Sequence, residues 1–407
     1  MIRRGTALLV AALLLTGCVS PENPPTAAPT THTAQADAIR AVVKSVMASE
    51  HLKSALVRVT VDGKEVISEA FGESITGVPA STDMHFRNGA VAISYVSTLL
   101  LILAEENRVG LDDKLSDFLP EIAHADRVTL RQLAQMTSGY ADYVLDNDAF
   151  AAALYENPFR QWKPEELLQF AVTKPLQYEP GTNWSYAHTN YVLLGLALER
   201  ATGESMPKLL SEKVLDPLGL RNTANSFTPA IPEPALHAFT AERRANLDIP
   251  AAVPFLEESS FWNPSWTITH GAIQTTTIED LATSAAGIGS GQLLSPDSYR
   301  IFASKDLQGR THSAPGCPTC APQSDFYTYG LGIVLSGDWL LQNPMFFGYA
   351  AVGAYLPERR IAIATAVTFN EDAFDDEGNY SNAADALFRR IGAEVAPEHA
   401  PPSRPAR

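Results

Sequence analysis

Several places in this chain carry residues whose types and spacing could do chemistry. Tyr186-Ala187-His188 sets a phenol and an imidazole two positions apart, groups that move protons or hold ligands by hydrogen bonds. Ser205-Met206-Pro207-Lys208 spaces a hydroxyl and an ammonium three residues apart, and Ser94 and Ser97 add two hydroxyls inside an apolar run. A serine beside an amine is the core of nucleophilic acyl transfer, because the amine eases loss of the hydroxyl proton. Each group also has a plainer use. A pattern fixing two positions arises easily by chance, and mid-helix serines commonly bond the carbonyl a turn earlier. A lone histidine near a core is more often a satisfied structural residue, and a buried tyrosine is often kept for packing.

The cysteines speak of compartment. The chain opens Met-Ile-Arg-Arg and runs apolar from Ala7 to Leu15, and Cys18 follows Leu15-Thr16-Gly17. A basic start, an apolar stretch too short to span a bilayer and small residues before a cut describe a secretory signal over residues 1–17. The Cys after Leu-Thr-Gly resembles a lipobox, which implies acylation at Cys18 and a lipid anchor on the outer face of the cytoplasmic membrane. Residues 18–36 are rich in Pro and Thr and read as a flexible tether; residues 396–407 share that character and read as a disordered tail. Cys317 and Cys320, in Gly-Cys-Pro-Thr-Cys, are expected to form a local disulfide outside the cell. The strand-to-helix setting of a redox pair is missing. Zinc would need ligands beyond His312, so neither a metal nor a cofactor is expected. A formal charge of −16 repels phosphate backbones and disfavours nucleic acid as a partner.

The elements that must position these groups are legible in outline. Ile39, Val42, Val43 and Val46 share one side of a helix predicted over Gln35–His51. Ala55–Val61 and Glu65–Ala70 alternate around Asp62-Gly63, a strong hairpin signal. The run from Val91 to Glu106 is apolar almost all round, as a helix buried in the core would be. Helical segments follow to about Leu218, then strands at Tyr329–Leu335, Ala350–Leu356 and Ile361–Thr368, and a last helix from Ala383 to Val395. Strands at both ends with helices between predict one α/β (α+β) domain over 37–395, its antiparallel sheet built from both termini. Phe261-Trp262-Asn263-Pro264-Ser265-Trp266 could line a cleft or pack as a loop.

At this point the blocks themselves become informative. Phe86-Arg-Asn-Gly, Val109-Gly-Leu-Asp-Asp-Lys-Leu-Ser-Asp-Phe-Leu-Pro, Thr137-Ser-Gly-Tyr and Pro180-Gly-Thr-Asn-Trp-Ser-Tyr occur in order. Tyr191-Val-Leu-Leu-Gly, Pro217-Leu-Gly-Leu-Arg-Asn-Thr and Thr276-Thr-Ile-Glu-Asp-Leu-Ala extend them. The chain thereby resembles the serine β-lactamase and penicillin-binding family, most closely class C enzymes and their esterase and D-aminopeptidase relatives. That resemblance implies three catalytic elements: Ser-x-x-Lys at the start of the buried helix, Tyr-x-Asn, and a Lys/His-Thr/Ser-Gly strand.

Placed on that template from Phe86 forward and from Leu111-Asp112-Asp113 backward, the serine position is Ala90 and the lysine position Ile93. The second element is Tyr186-Ala187-His188, with histidine where asparagine is expected. The third falls at Gln342-Asn343-Pro344, without its cation. Ser205 and Lys208 fall where the family has a peripheral helix. The expectation is an envelope lipoprotein whose catalytic centre has been lost, binding a cell-wall or small-molecule ligand or a partner through the old cleft. The alternative is an active serine hydrolase with a relocated nucleophile such as Ser94, helped by Tyr186 or His188.

Overall fold

The computed structural model describes residues 31–404 except Phe227 and residues 268–272; Cys18 and the expected signal lie outside the described residues. Its centre is a nine-stranded antiparallel sheet. From one edge run Val78–Pro79, Lys64–Ile75, Leu52–Val61, Ile361–Phe369, Tyr349–Leu356, Trp339–Gln342, Val334–Ser336 and Thr328–Tyr329, with Met345–Phe346 also pairing with Tyr349–Leu356. The first long strand lies beside the last, Val57 opposite Thr365 and Val61 opposite Ile361. The sheet is therefore built from both termini.

Local chemistry accounts for the hairpin. Asp62 and Gly63 both take positive φ, 54° and 73°, as a two-residue turn between right-twisted strands requires. The strands are longer than the sequence pattern suggested. The interior of the sheet also departs from expectation. Tyr329–Leu335 is not one strand but two short ones, interrupted at Gly332, whose φ is 77°. A Cβ there would lie 1.8 Å from the Ser97 hydroxyl, so only glycine permits this approach between sheet and buried helix.

Helices cover both faces. Thr31–Ser49 and Ala383–Val395 pack together on one side, the latter burying Leu387, Phe388, Ile391 and Val395 at helical spacing. Its start is capped by Asn382, whose side chain accepts from the Asp385 N–H. Ile278–Gly289, capped by Thr277, lies on the other face against Leu52–Val61, Tyr349–Leu356 and Ile361–Phe369. Behind it Ala92–Glu105 is buried almost throughout, as its all-round hydrophobicity predicts. No helix among the described residues is long and apolar enough to cross a membrane.

Two boundary expectations are corrected. The first helix begins at Thr31, inside the expected tether. The expected disordered tail is packed as far as it is described: His399 O accepts from Trp339 Nε1 at 2.7 Å and Pro402 O accepts from Arg389 Nη1 at 2.8 Å. Composition misled here because a proline-rich segment can dock by its carbonyls without burying large apolar side chains.

One partly buried acid makes this fold sensitive to pH. Glu242, partly buried beside the Phe239–Thr240 strand, accepts from Thr240 Oγ1 at 2.7 Å and Tyr155 Oη at 3.4 Å. Burial pushes its carboxyl up to about 7. The native state then holds this proton to higher pH than the unfolded chain, so stability falls as pH rises from about 4.5 through 7. Glu242→Gln should raise the unfolding free energy by about 1–2 kcal/mol at pH 8 and by less at pH 5, read from denaturant curves at the two pH values.

Candidate functional site

The start of the buried helix is pinned from three sides. Phe86–Arg87 pairs with Gln274–Thr276, and the Asn88 side chain donates to Gln274 Oε1 (2.7 Å) and accepts from the Gln274 N–H (3.1 Å). Arg87 is buried without a carboxylate partner among the described residues. It donates instead to Ser226 Oγ at 2.8 Å and to the carbonyls of Pro229 at 2.6 Å and of Thr228 and Ser260 at 3.3 Å. Burial pushes its guanidinium down to about 10. Gly89 follows at φ 53°, where a Cβ would lie 2.9 Å from that of Pro344. The chain then passes through the 3-10 turn Gly89–Val91 into Ala92–Glu105. Ala90 is thus held at the helix mouth, close to the segment joining Trp339–Gln342 to Met345–Phe346.

A cavity of about 260 Å³ opens at that mouth. Ala90, Tyr186, His188, Gln342, Asn343 and Pro344 all line it, with Trp266 and Phe346 on its wall. The three segments expected from the resemblance therefore converge on one cleft, although they lie far apart in the chain.

What each residue offers there is specific. Ala90 presents a methyl group. Ile93 is fully buried in the hydrophobic core. Ser94 is 3 % exposed and donates to the Val91 carbonyl at 2.7 Å, the back-bond expected of a mid-helix serine. It borders a separate small void behind the helix start, not the Ala90 cleft. Ser97 is buried and shares a 2.6 Å hydrogen bond with Tyr191 Oη. The relocated-nucleophile expectation thus meets a hydroxyl committed to its own backbone. Ser205 borders a larger groove of about 630 Å³ elsewhere, floored by Leu119, Ile122, Leu168 and Leu196. Lys208 there pairs with Glu204 at 2.9 Å and Glu212 at 3.5 Å, and Glu204 raises its pKa, which keeps it an ammonium rather than a base.

Tyr186 lies edge-on to His188, ring centroids 5.2 Å apart. Burial, then Tyr327 and Asp142, push its phenol well above the usual range, so it stays protonated and is no ready base. His188 is the group that sequence pattern undervalued. Its Nδ1 donates to Asp142 Oδ2 at 2.9 Å, and its backbone N–H donates to Oδ1 at 2.9 Å. Asp142, almost wholly buried, also accepts from the N–H groups of Val144 and Leu145 at 3.2 Å each. A carboxylate only accepts, so Nδ1 carries a proton and donates it to Asp142. Asp142 was not singled out from sequence. Its only signal was an acid shortly after Thr137-Ser-Gly-Tyr, 46 positions from the histidine it orients.

Trp266, in the Pro264–Trp266 turn, stacks on Phe346 with centroids 5.6 Å apart and planes 3° from parallel. Of the two open possibilities for the Phe261–Trp266 segment, both are realised. Trp266 lines the cleft, whereas Trp262 packs inside against Phe347.

The cysteines form a disulfide, Cys317–Cys320. It braces the strap behind Tyr186: Ser185 bridges Cys320, Ser185 Oγ lies 2.5 Å from Thr319 Oγ1, and Asn183 exchanges hydrogen bonds with the His312 backbone.

The family model Beta-lactamase matches residues 39–388, and the chain belongs to that family. Penicillin-binding protein 4 of Amycolatopsis lactamdurans is 31 % identical over 194 residues, 46 % of this chain and 47 % of that protein. The chain spans about half the length of such curated relatives or less. Two solved structures share the fold. A D-stereospecific amidohydrolase from Streptomyces sp. has TM-score 0.70 at 23 % identity, covering 90 % of this chain and 99 % of its own. A D-amino acid amidase from Ochrobactrum anthropi SV3 has TM-score 0.72 at 19 % identity, covering 89 % and 99 %.

Because the disulfide closes only a short loop, its loss should be mild. Replacing Cys317 and Cys320 by serine together is expected to cost about 2 kcal/mol of stability in denaturant titration. It should also loosen the Asn183–Tyr186 strap, read as faster amide exchange there than in the Ala92–Glu105 helix.

Proposed function

We propose that this chain is a cell-envelope lipoprotein whose β-lactamase-type cleft binds a small molecule or partner without forming an acyl-enzyme. The observation that carries this is the pair Ala90 and Ile93, a methyl group at the cleft and a side chain wholly in the core. Acyl transfer needs a hydroxyl and a proton acceptor at those places, and neither side chain can attack a carbonyl or hold a charge. Two further features support the reading. The hydroxyls of Ser94 and Ser97 are committed within the protein. No lysine or arginine occurs among the described residues lining the cleft, so the family's cation for a substrate carboxylate has no lysine or arginine counterpart among them. The relatives' names speak of penicillin binding and of amide hydrolysis; family membership makes such chemistry the natural alternative, and function resides in the site rather than the fold. Lipid anchoring rests on the lipobox-like Leu15-Thr16-Gly17-Cys18.

Incubation with a fluorescent penicillin and with a fluorophosphonate, followed by intact mass, should leave the protein unmodified. An adduct at Ser94, Ser97 or another serine, lost on changing that serine to alanine, would overturn the reading. For the anchor, the full chain made in a bacterial host should fractionate with membranes, and Cys18→Ser should release it. Equal membrane association of both forms would contradict lipidation at Cys18.

A further inference from the structure

The geometry points to an organic ammonium ion as the ligand of the Ala90 cleft, held by aromatic rings and by the His188–Asp142 pair. This rests on the non-acylating reading above and adds the chemical class that the cleft selects.

Charge is the first consideration. The described lining holds neither lysine nor arginine, so among the described residues a carboxylate or phosphate finds no lysine or arginine partner for its charge. Asp142 sits directly behind His188 with its negative charge buried, facing Tyr143 and Tyr186, both kept neutral by burial. A buried carboxylate reaching the cavity through one imidazole makes the site favourable to a positive ligand.

The second consideration is which polar groups remain unused. The lining amides donate inward: Gln342 Nε2 to the Gly332 carbonyl at 2.9 Å, Asn343 Nδ2 to Asp385 Oδ1 at 3.1 Å, and Asn382 Nδ2 to the Asn343 carbonyl at 2.7 Å. His188 Nε2, by contrast, has no hydrogen-bond partner among the described residues, while Nδ1–H is spent on Asp142; in the neutral ring Nε2 is an acceptor. An N–H donor from a ligand would complete that imidazole, and its positive charge would be balanced through the ring by Asp142.

The walls supply the third. Tyr186, Trp266, Tyr327 and Phe346 line the same cavity as His188. Aromatic rings attract alkylammonium groups through their quadrupoles and shed the water around them. At about 260 Å³ the cavity lies at the small end for ligand sites, suited to a single ring or short chain bearing an amine. The net charge of −16 raises the local concentration of such cations.

Calorimetric titration of the whole protein with benzylammonium, benzyltrimethylammonium, benzyl alcohol and benzoate tests this. The ammonium probes should bind at least tenfold more tightly than the alcohol, and benzoate should bind more weakly still. Asp142→Asn, which keeps shape and removes charge, should cut ammonium affinity at least tenfold and leave benzyl alcohol unchanged. Trp266→Leu should weaken both ammonium probes. Benzoate binding as tightly as benzylammonium, equal loss of alcohol and ammonium on Asp142→Asn, or no ammonium binding at all would overturn the inference. None of those results would produce a covalent adduct, so they leave the non-acylating reading standing.

Discussion

The domain is closed by one pairing. The strand Leu52–Val61 lies antiparallel to Ile361–Phe369, so backbone hydrogen bonds near the two ends of the domain hold together everything between them. Loop closure on that scale costs entropy before it returns contacts, and such topologies fold slowly. Its consequence is a fixed frame. With the sheet complete, the 3-10 turn at Ala90, the strap at Tyr186 and the bend at Pro344 arrive at one cavity from three separate segments. The frame positions whatever side chains those segments carry, and it does so whether or not they can react.

Here they carry an unusual set. Where a family enzyme would present a nucleophile and an ammonium, the frame presents Ala90 to the cavity and buries Ile93 in the core. Polar groups remain at and behind the cleft in His188 and its partner Asp142. Four N–H groups converge on that carboxylate, which fixes both the turn after Asp142 and the start of the His188–Thr202 helix. An arrangement costing this much burial persists only when its hydrogen bonds are complete. Asp142 meets that condition, and the imidazole it orients lines the cleft.

Much of this was legible before any coordinates. Asp62-Gly63 announced the hairpin because its turn demands positive φ, and the run from Val91 to Glu106 announced a buried helix because no polar face interrupts it. The register from Phe86 to Leu111 set Ala90 and Ile93 at the family's serine and lysine positions; the structure puts Ala90 at the cleft and Ile93 in the core behind it. Other features escaped, among them the start of the first helix at Thr31. The tail after Ala396 looked like a tether, since docking through carbonyls leaves no mark in hydropathy. The strand near Gly332 looked continuous, since its break is dictated by Ser97 and Tyr191 pressing from two distant helices. Asp142 escaped because its partner is brought to it by tertiary folding alone.

On the proposed non-acylating reading, no side chain among the described residues lining the Ala90 cleft forms a covalent bond to an acylating or phosphonylating ligand. Crystals of the protein soaked in an aryl phosphonate ester would test it by direct inspection. The expected electron density is an intact ester, or none, separated from every side-chain oxygen by ordinary van der Waals distance. Continuous density joining phosphorus to a serine, threonine or tyrosine oxygen would contradict the account.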